Sequence, residues 1–330
     1  MNWKLKALVQ RAVSLLPSEA SYEIYYVLQR AWGSLRRVNP LAGLESGIRI
    51  LTGIEDLGRS IENAVVLEVG TGRRVNVPLA LWLCGAAKII TVDRNPYLKP
   101  KLIREDLIFI RNNTAVIQAL FGRRADRDEF QRRLELIARD GMSVPQLLEA
   151  TGIQYLAPLD ARALPLEGGT IDYHVSNNVC EHIPPTELGE ILAEGRRVVR
   201  EDGLLVHGID FSDHNAECDP AVSTINFLQY SERQWQWLAG SRYNYHNRLR
   251  LDEFKQIIRD AGLTIVSEKP EIDPAALRLL EAGFGLDQRF SRKPKEINAT
   301  DKALVVAGRA DGTRPRHGTP PRGARANAAV

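Results

Sequence analysis

The sequence predicts an α/β protein with a parallel sheet covered by helices on both faces. Three observations carry that expectation. Residues 65–95, VVLEVGTGRRVNVPLALWLCGAAKIITVDRN, read in order as a buried strand, a glycine turn, a helix, a second strand and an acid. From residue 249, LRLDEFKQIIRDAGLTIVSEK reads as a helix, a glycine stop at Gly262 and a strand, and KALVVAGRA from Lys302 supplies one more. Finally, 330 residues that are 44% hydrophobic are enough to bury a sizeable core.

Residues 1–58 are expected to form a helical extension. Leu5, Leu8, Val9, Ala12, Val13 and Leu16 share one helical face, opposite Lys4, Arg11 and Ser14. That face suits packing on the core or on a second subunit. The alternative is a basic amphipathic helix, residues 1–16, resting on a membrane surface. The opening mimics a signal peptide, but Gln10 and Arg11 interrupt its apolar region and no small-residue cleavage site follows. No apolar run approaches the roughly 20 residues that span a bilayer. Cys84, Cys180 and Cys218 form no CxxC pair, which points to a reducing cytosol rather than a disulfide scaffold or zinc site. The expected location is therefore cytoplasmic, with peripheral contact at the inner face of the membrane as the variant.

Residues 64–69 are apolar apart from Glu68, as suits a parallel strand buried on both faces. Gly70 and Gly72 let the backbone turn tightly under a ligand. Residues 77–87 make the crossover helix and residues 88–92 a second strand, with Asp93 placed to take both hydroxyls of a ribose. A dinucleotide fingerprint needs a third glycine where this chain has Val75. S-adenosylmethionine has no pyrophosphate and does not need that glycine. Glu68 would attract its cationic tail.

On these residues the chain resembles the class I S-adenosylmethionine-dependent methyltransferases, of the bacterial methyltransferase type 11 kind. Glu68-x-Gly70-x-Gly72 matches the first motif and Asp93 the ribose acid. Asp160-Ala161, with Leu164-Pro165-Leu166 and Thr170-Ile171-Asp172-Tyr173, resembles the stretch entering the fourth strand. SNNVCEHI, residues 176–183, resembles the segment leaving it, and VVREDGLLVH, residues 198–207, the final helix, glycine turn and fifth strand. The resemblance spans residues 60–210 and, through the antiparallel ending, reaches about Arg309. It implies a doubly wound, seven-stranded, mostly parallel sheet, with S-adenosyl-L-methionine held by Glu68, Gly70, Gly72, Asp93, Asp160, Ala161 and Asn177.

Three regions exceed a minimal fold: the extension, a helical insertion over about residues 97–155, and a substrate-loop region over about 210–250. In the insertion, residues 102–120 and 128–138 have helical periodicity with a break at Phe121-Gly122, giving either a lid over the crevice or a structural layer. The substrate loop opens with HGIDFSDHNAECD. In one reading His214 is a general base oriented by Asp210 or Asp213. In another, Asp210 and Asp213 hold magnesium, a metal site that is not favoured. In a third, these residues only satisfy loop hydrogen bonds. His182 beside the methyl donor is a second candidate base or a pocket wall, whereas His174 and His246 read as packed.

Phe227, Tyr230, Trp235, Trp237, Tyr243 and Tyr245 follow within a short span. Aromatic faces suit stacking on a sugar, with Asn226, Asn247 and Arg248 bonding its hydroxyls; the plain alternative is core packing. The substrate candidates are Trp235, Tyr230, Asn226 and Arg248. An Asn/Asp-Pro-Pro-aromatic signature, associated with amine and amide acceptors, is replaced by Ser176-Asn177-Asn178-Val179. That favours oxygen: a hydroxyl on a sugar, glycolipid or small natural product. The alternatives are a non-catalytic binding or scaffold protein of the same fold, an oxidoreductase on a similar sheet, or an RNA or protein methyltransferase.

The net charge of +3 resides in residues 311–330, where four arginines face one aspartate. This stretch reads as a disordered basic tail, and the neutral body carries no strong nucleic-acid signal.

Overall fold

The computed structural model describes residues 2–309 of the chain. The expected basic tail, 311–330, lies outside the described residues. Helices α1 (Trp3–Ser14), α2 (Ser18–Trp32) and α3 (Leu41–Glu55) precede strand β1 (Val65–Val69), helix α4 (Asn76–Leu83) and strand β2 (Lys88–Val92). Four helices follow, α5 (Pro100–Asn112), α6 (Thr114–Phe121), α7 (Asp128–Ile137) and α8 (Val144–Thr151). Then come β3 (Ile153–Leu156), β4 (Ile171–Asn177), α9 (Pro185–Val198), β5 (Val199–Asp210), α10 (Glu232–Ala239), α11 (Leu251–Asp260) and β6 (Leu263–Ile272). Helices α12 (Pro274–Glu281), α13 (Gln288–Ser291) and α14 (Lys295–Ala299) lead into β7 (Thr300–Arg309).

The seven strands lie in the order β3-β2-β1-β4-β5-β7-β6. The first five run parallel, and β7 inserts antiparallel between β5 and β6. This is the expected doubly wound sheet. The chain winds from β1 toward β3 in one direction and from β4 toward β6 in the other, so a crevice opens beyond the carboxyl ends of β1 and β4.

The crossover helix expected over 77–87 ends at Leu83, because Gly85 takes φ +118° and closes the turn. Its sequence, NVPLALWL, is apolar all round because both of its sides are buried. The glycine turn expected near Gly203 is instead a register irregularity inside β5, opposite Ile171 and Tyr173.

Helices α5 to α8 form a structural layer. Ile103, Leu107, Ile110, Ile117, Phe130, Leu134 and Leu147 merge with Leu44, Ile50 and Leu51 of α3 and with Leu79 and Leu83 of α4 in one core on one face of the sheet. The opposite face carries a second core, where Leu188 and Leu192 of α9 and Phe254 and Ile258 of α11 meet Leu205 and Val305. A lid over the crevice is therefore not supplied by the insertion. Residues 41–55 of the expected extension belong to the first core, leaving α1 and α2 outside it.

Helix α1 belongs to a third cluster, in which Trp3 packs with Phe227, Trp235, Leu280 and Phe290. Its buried residues are Trp3, Ala7, Gln10 and Val13. The leucine face expected to pack does not: Leu5 is 55% and Leu8 63% exposed. The Trp3 indole buries more surface than any leucine, its backbone N–H donates to Asp219 at 3.0 Å, and Gln10 Nε2 donates to the Tyr25 hydroxyl at 2.8 Å. These contacts set the rotation of the helix. Among the described residues no helix is long and apolar enough to cross a membrane.

Trp3→Ala should therefore cost about 3 kcal/mol, whereas Leu8→Ala should stay within about 0.5 kcal/mol of wild type. Urea titrations of both variants check this, and equal effects would contradict the assigned orientation of α1.

Candidate active site

At the carboxyl ends of β1 and β4 lies a cleft of about 640 Å³, walled by Glu68, Gly70, Gly72, Asn177, His182 and Tyr243. Glu68 points inward from β1 and is buried, with the Thr91 hydroxyl donating to its carboxylate. Burial pushes its pKa up to about 8, opposed by the Thr91 hydrogen bond. Asp93 follows β2, and its Oδ2 accepts from the Gly72 N–H at 3.0 Å and the Tyr155 hydroxyl at 3.3 Å. Burial lifts Asp93 to about 7 against those two bonds. Both donors converge on Oδ2, and Asp93 itself is not among the residues lining the cleft.

The two glycines do different jobs. Gly72, at φ +69°, has open space where a Cβ would stand. Gly70, at φ +87°, would put a Cβ 2.4 Å from Val179 Cγ2, so its small size seats Val179 rather than admitting a ligand. Asn177 ends β4, and Gly208 lacks a side chain where the Asn177 amide needs room, 2.5 Å from the Cβ position. Asp160 and Ala161 are not among the residues lining this cleft. Asp160 is exposed and bound by Arg162, which holds its carboxyl down at about 2, and Ala161 is buried in the second core.

Helix α2 covers the cleft. Tyr25 stacks on Tyr243 with centroids 4.0 Å apart, Ser21 and Tyr243 share a 2.6 Å hydrogen bond, and Arg73 spans the gap to Gln29 with its guanidinium over Tyr25. Beyond it lies a second cavity of about 870 Å³ lined by His182, His214, His246, Trp235, Phe227 and Tyr245. His182 borders both spaces.

The His182 Nδ1 donates to the Tyr245 carbonyl at 2.9 Å, which leaves Nε2 unprotonated in the neutral ring. The side chain is 44% exposed, and desolvation by the surrounding protein, then the neighbouring His214, depress its pKa to about 4. The His182 and His214 rings are 5.0 Å apart. His214 Nε2 lies 3.9 Å from Asp210 Oδ2, too far for a hydrogen bond. Asp210 Oδ1 instead accepts from the Ser212 N–H and hydroxyl, while Asp213 accepts from Asn226 Nδ2 and the Asn215 N–H, both at 2.9 Å. Both carboxylates are thus engaged by hydrogen bonds of the loop itself. Among the described residues the group able to hold a metal is Glu181, His182 and His214.

Of the aromatic segment, Phe227, Trp235, Tyr243 and Tyr245 face the cavities. Tyr230 stacks on Trp235, Asn226 ties Asp213, and neither lines the second cavity. The expected role of Arg248 is corrected: it is buried, its Nη1 and Nη2 donate to the Phe227 and Tyr230 carbonyls and to Glu232, and it lines neither cavity. Glu181, Tyr25, Gln29 and Arg73 were not foreseen. Only Glu181 had a signal, its place beside His182 after the fourth strand.

Glu68 generates a prediction. Its folded pKa near 8 lies above the ordinary 4.5, so its contribution is fully present below pH 4.5 and is lost as pH rises through 8. Glu68→Gln removes that loss. The stability of the variant relative to wild type should therefore grow between pH 5 and pH 9, by on the order of 4 kcal/mol. Denaturant midpoints across that range test it, and a pH-independent difference would contradict a buried, protonated Glu68.

Comparison with known proteins places this architecture. A family model described as a methyltransferase domain matches residues 45–268. No curated protein matches the chain. Among solved structures, a protein from Pyrococcus horikoshii OT3 is 12% identical with a TM-score of 0.48, over 86% of this chain and 98% of that one. A putative methyltransferase from Bacillus halodurans is 14% identical with a TM-score of 0.42, over 78% and 97%. Magnesium protoporphyrin IX methyltransferase from Synechocystis, solved with bound S-adenosylhomocysteine, is 12% identical with a TM-score of 0.43, over 82% and 84%. Because the family model covers more than half of the sequence and the sheet has the matching order, the chain belongs to the methyltransferase domain family, the S-adenosylmethionine-dependent enzymes of class I fold.

Proposed function

We propose that this methyltransferase acts on a hydroxyl of an amphipathic acceptor, a glycolipid or a sugar-bearing natural product. The observation that carries the reading is the position of His182, which borders both the cofactor cleft and the larger cavity. Bound in the cleft, S-adenosylmethionine supplies an electrophilic methyl group on a sulfonium. The residues present fit it: Glu68 can ionise to meet the positive charge, the backbone at Gly72 leaves open space, and Asp93 Oδ1 can accept from a ribose hydroxyl.

The rest of the task falls to the chain. Trp235, Phe227 and Tyr245 offer apolar faces to the body of an acceptor. The His182 and His214 pair stands where the acceptor's proton must leave, with His182 neutral at pH 7 and its Nε2 lone pair free. Helix α2 lines both spaces through Gln29 and shields them on that side, which favours displacement at the methyl over loss to solvent.

An amphipathic acceptor is favoured by what surrounds the second cavity. Val9, Trp32 and Lys6 stand at its rim, and Trp32 is 78% exposed. Leu5, Leu8, Leu15 and Leu16 continue an exposed apolar strip along α1, interspersed with Lys4, Lys6 and Arg11. Such a strip suits an anionic membrane surface, from which a lipid-linked hydroxyl could enter.

Two measurements follow. Asp93→Ala should weaken S-adenosylmethionine binding by about 2 kcal/mol in calorimetry. His214→Ala should spare that affinity and lower turnover roughly 100-fold to 10,000-fold. Wild-type affinity in Asp93→Ala would sink the cofactor placement, and full turnover in His214→Ala would remove the second cavity from the reaction. Separately, the protein should float with vesicles containing anionic lipids and be released by the double substitution Leu5→Glu, Leu8→Glu. Flotation that survives that change would place the contact elsewhere.

A further inference from the structure

We propose that Glu181, His182 and His214 bind a divalent transition-metal ion, of the zinc or manganese class, between the cofactor cleft and the acceptor cavity. The ligand atoms of these three side chains all lie within 4.8 Å of one another. Two imidazoles and a carboxylate form a set that such ions take, leaving positions open for an oxygen ligand.

The strongest support is Glu181. Its side chain is 1% exposed, and neither carboxylate oxygen has a hydrogen-bond partner among the described residues. An unpaired buried carboxyl is costly, and a bound cation would relieve the cost. It lies 4.0 Å from His182 Nε2 through Oε1. The His182 tautomer is already that of a ligand: Nδ1 donates to the Tyr245 carbonyl, an outer-shell bond that orients the ring and frees Nε2. Asp210, whose Oδ2 is 3.9 Å from His214 Nε2, is placed to orient or join the third ligand.

The nearby residues separate cleanly into ligands and supports. His246 packs against both histidines, with centroids at 6.1 and 5.4 Å, but its Nδ1 accepts from the Arg248 N–H at 2.9 Å. Its Nε2 therefore carries the proton in the neutral ring and has no lone pair for a metal. Asp213 is already engaged by Asn226 and Asn215. At bond lengths near 2.1 Å, tetrahedral ligands stand roughly 3.4 Å apart. The three groups must close by about 1 Å, within reach of a rotation of the half-buried His214.

This inference rests on the methyltransferase reading for its consequence, and it refines the histidine pair from free bases to ligands. An acceptor hydroxyl on the open position would bind through oxygen, lose its proton to solvent as its pKa falls, and attack the methyl carbon while the sulfonium bond breaks. Charge and atoms balance without any oxidant.

The test uses full-length protein dialysed against a chelator and titrated calorimetrically with ZnCl₂, MnCl₂ and MgCl₂ in the absence of cofactor. Expected is one equivalent of zinc or manganese bound far more tightly than magnesium, weakened roughly tenfold or more by Glu181→Gln and by His214→Ala. Substitution with cobalt should give visible d–d bands that both variants lose. His214 is 26% exposed against 1% for Glu181, so His214→Ala keeps the test open should Glu181→Gln fail to fold. No stoichiometric binding by the wild type, or undiminished binding by His214→Ala, overturns the proposal. S-adenosylmethionine titrations of the same samples separate the two readings: cofactor binding without metal sinks only the metal site, and metal binding without cofactor sinks the methyltransferase placement.

Discussion

Strand β1 is the constraint on which the rest depends, because it pairs in parallel with β2 on one side and β4 on the other. Parallel neighbours cannot be joined by hairpins, so each pairing demands a crossover helix. Beyond the carboxyl end of β1 the two crossovers depart in opposite directions. Glu68, Gly70, Gly72, Asn177 and His182 all line the cleft that opens there, although up to 114 residues of sequence separate them. The cleft is a property of winding before it is a property of any side chain.

A second layer of determination comes from two buried guanidiniums. Arg250 donates to the carbonyls of Phe211, Ile297, Asn298 and Thr300, which ties the loop after β5 to the approach of β7. Arg248 clamps the carbonyls of Phe227 and Tyr230. Both satisfy backbone groups that would otherwise be buried without partners. In doing so they hold the segment bearing His246, Trp235 and Tyr245 against the exit of β4, where Asn247 also bonds the Cys180 and Ile183 carbonyls. The histidine cluster thus rests on charge-assisted bonds to the backbone, not on contacts among the histidines.

The cover over the cleft is made differently. Its contacts are aromatic and polar: Tyr25 against Tyr243, Tyr22 edge-on to Tyr97 and Tyr243, and Lys99 over Tyr26. Such a surface buries little aliphatic area and leaves the leucines of α1 facing outward. The α/β body therefore carries a pair of helices over its site, joined to it through the Trp3 cluster and through the ion pairs of Arg30 with Glu105 and of Lys99 with Glu23.

The strand order, the glycine turn after the first strand and the acids Glu68 and Asp93 at the strand ends were legible in the sequence, because periodicity, glycine turns and motif spacing are local quantities. What was not legible was decided by packing. Gly70 looked like room for a ligand, yet the group that needs the space is Val179, brought there by the β1 and β4 pairing. Arg248 looked like a substrate donor and is consumed by carbonyls that only the folded loop presents. Helix α1 showed its apolar stripe, but its rotation was set by Trp3 and Gln10 finding distant partners. Glu181, one residue before a noted histidine, became notable only when folding buried it without a partner and brought His214 to its side. Sequence determined which residues were available; the winding of the sheet decided which of them meet.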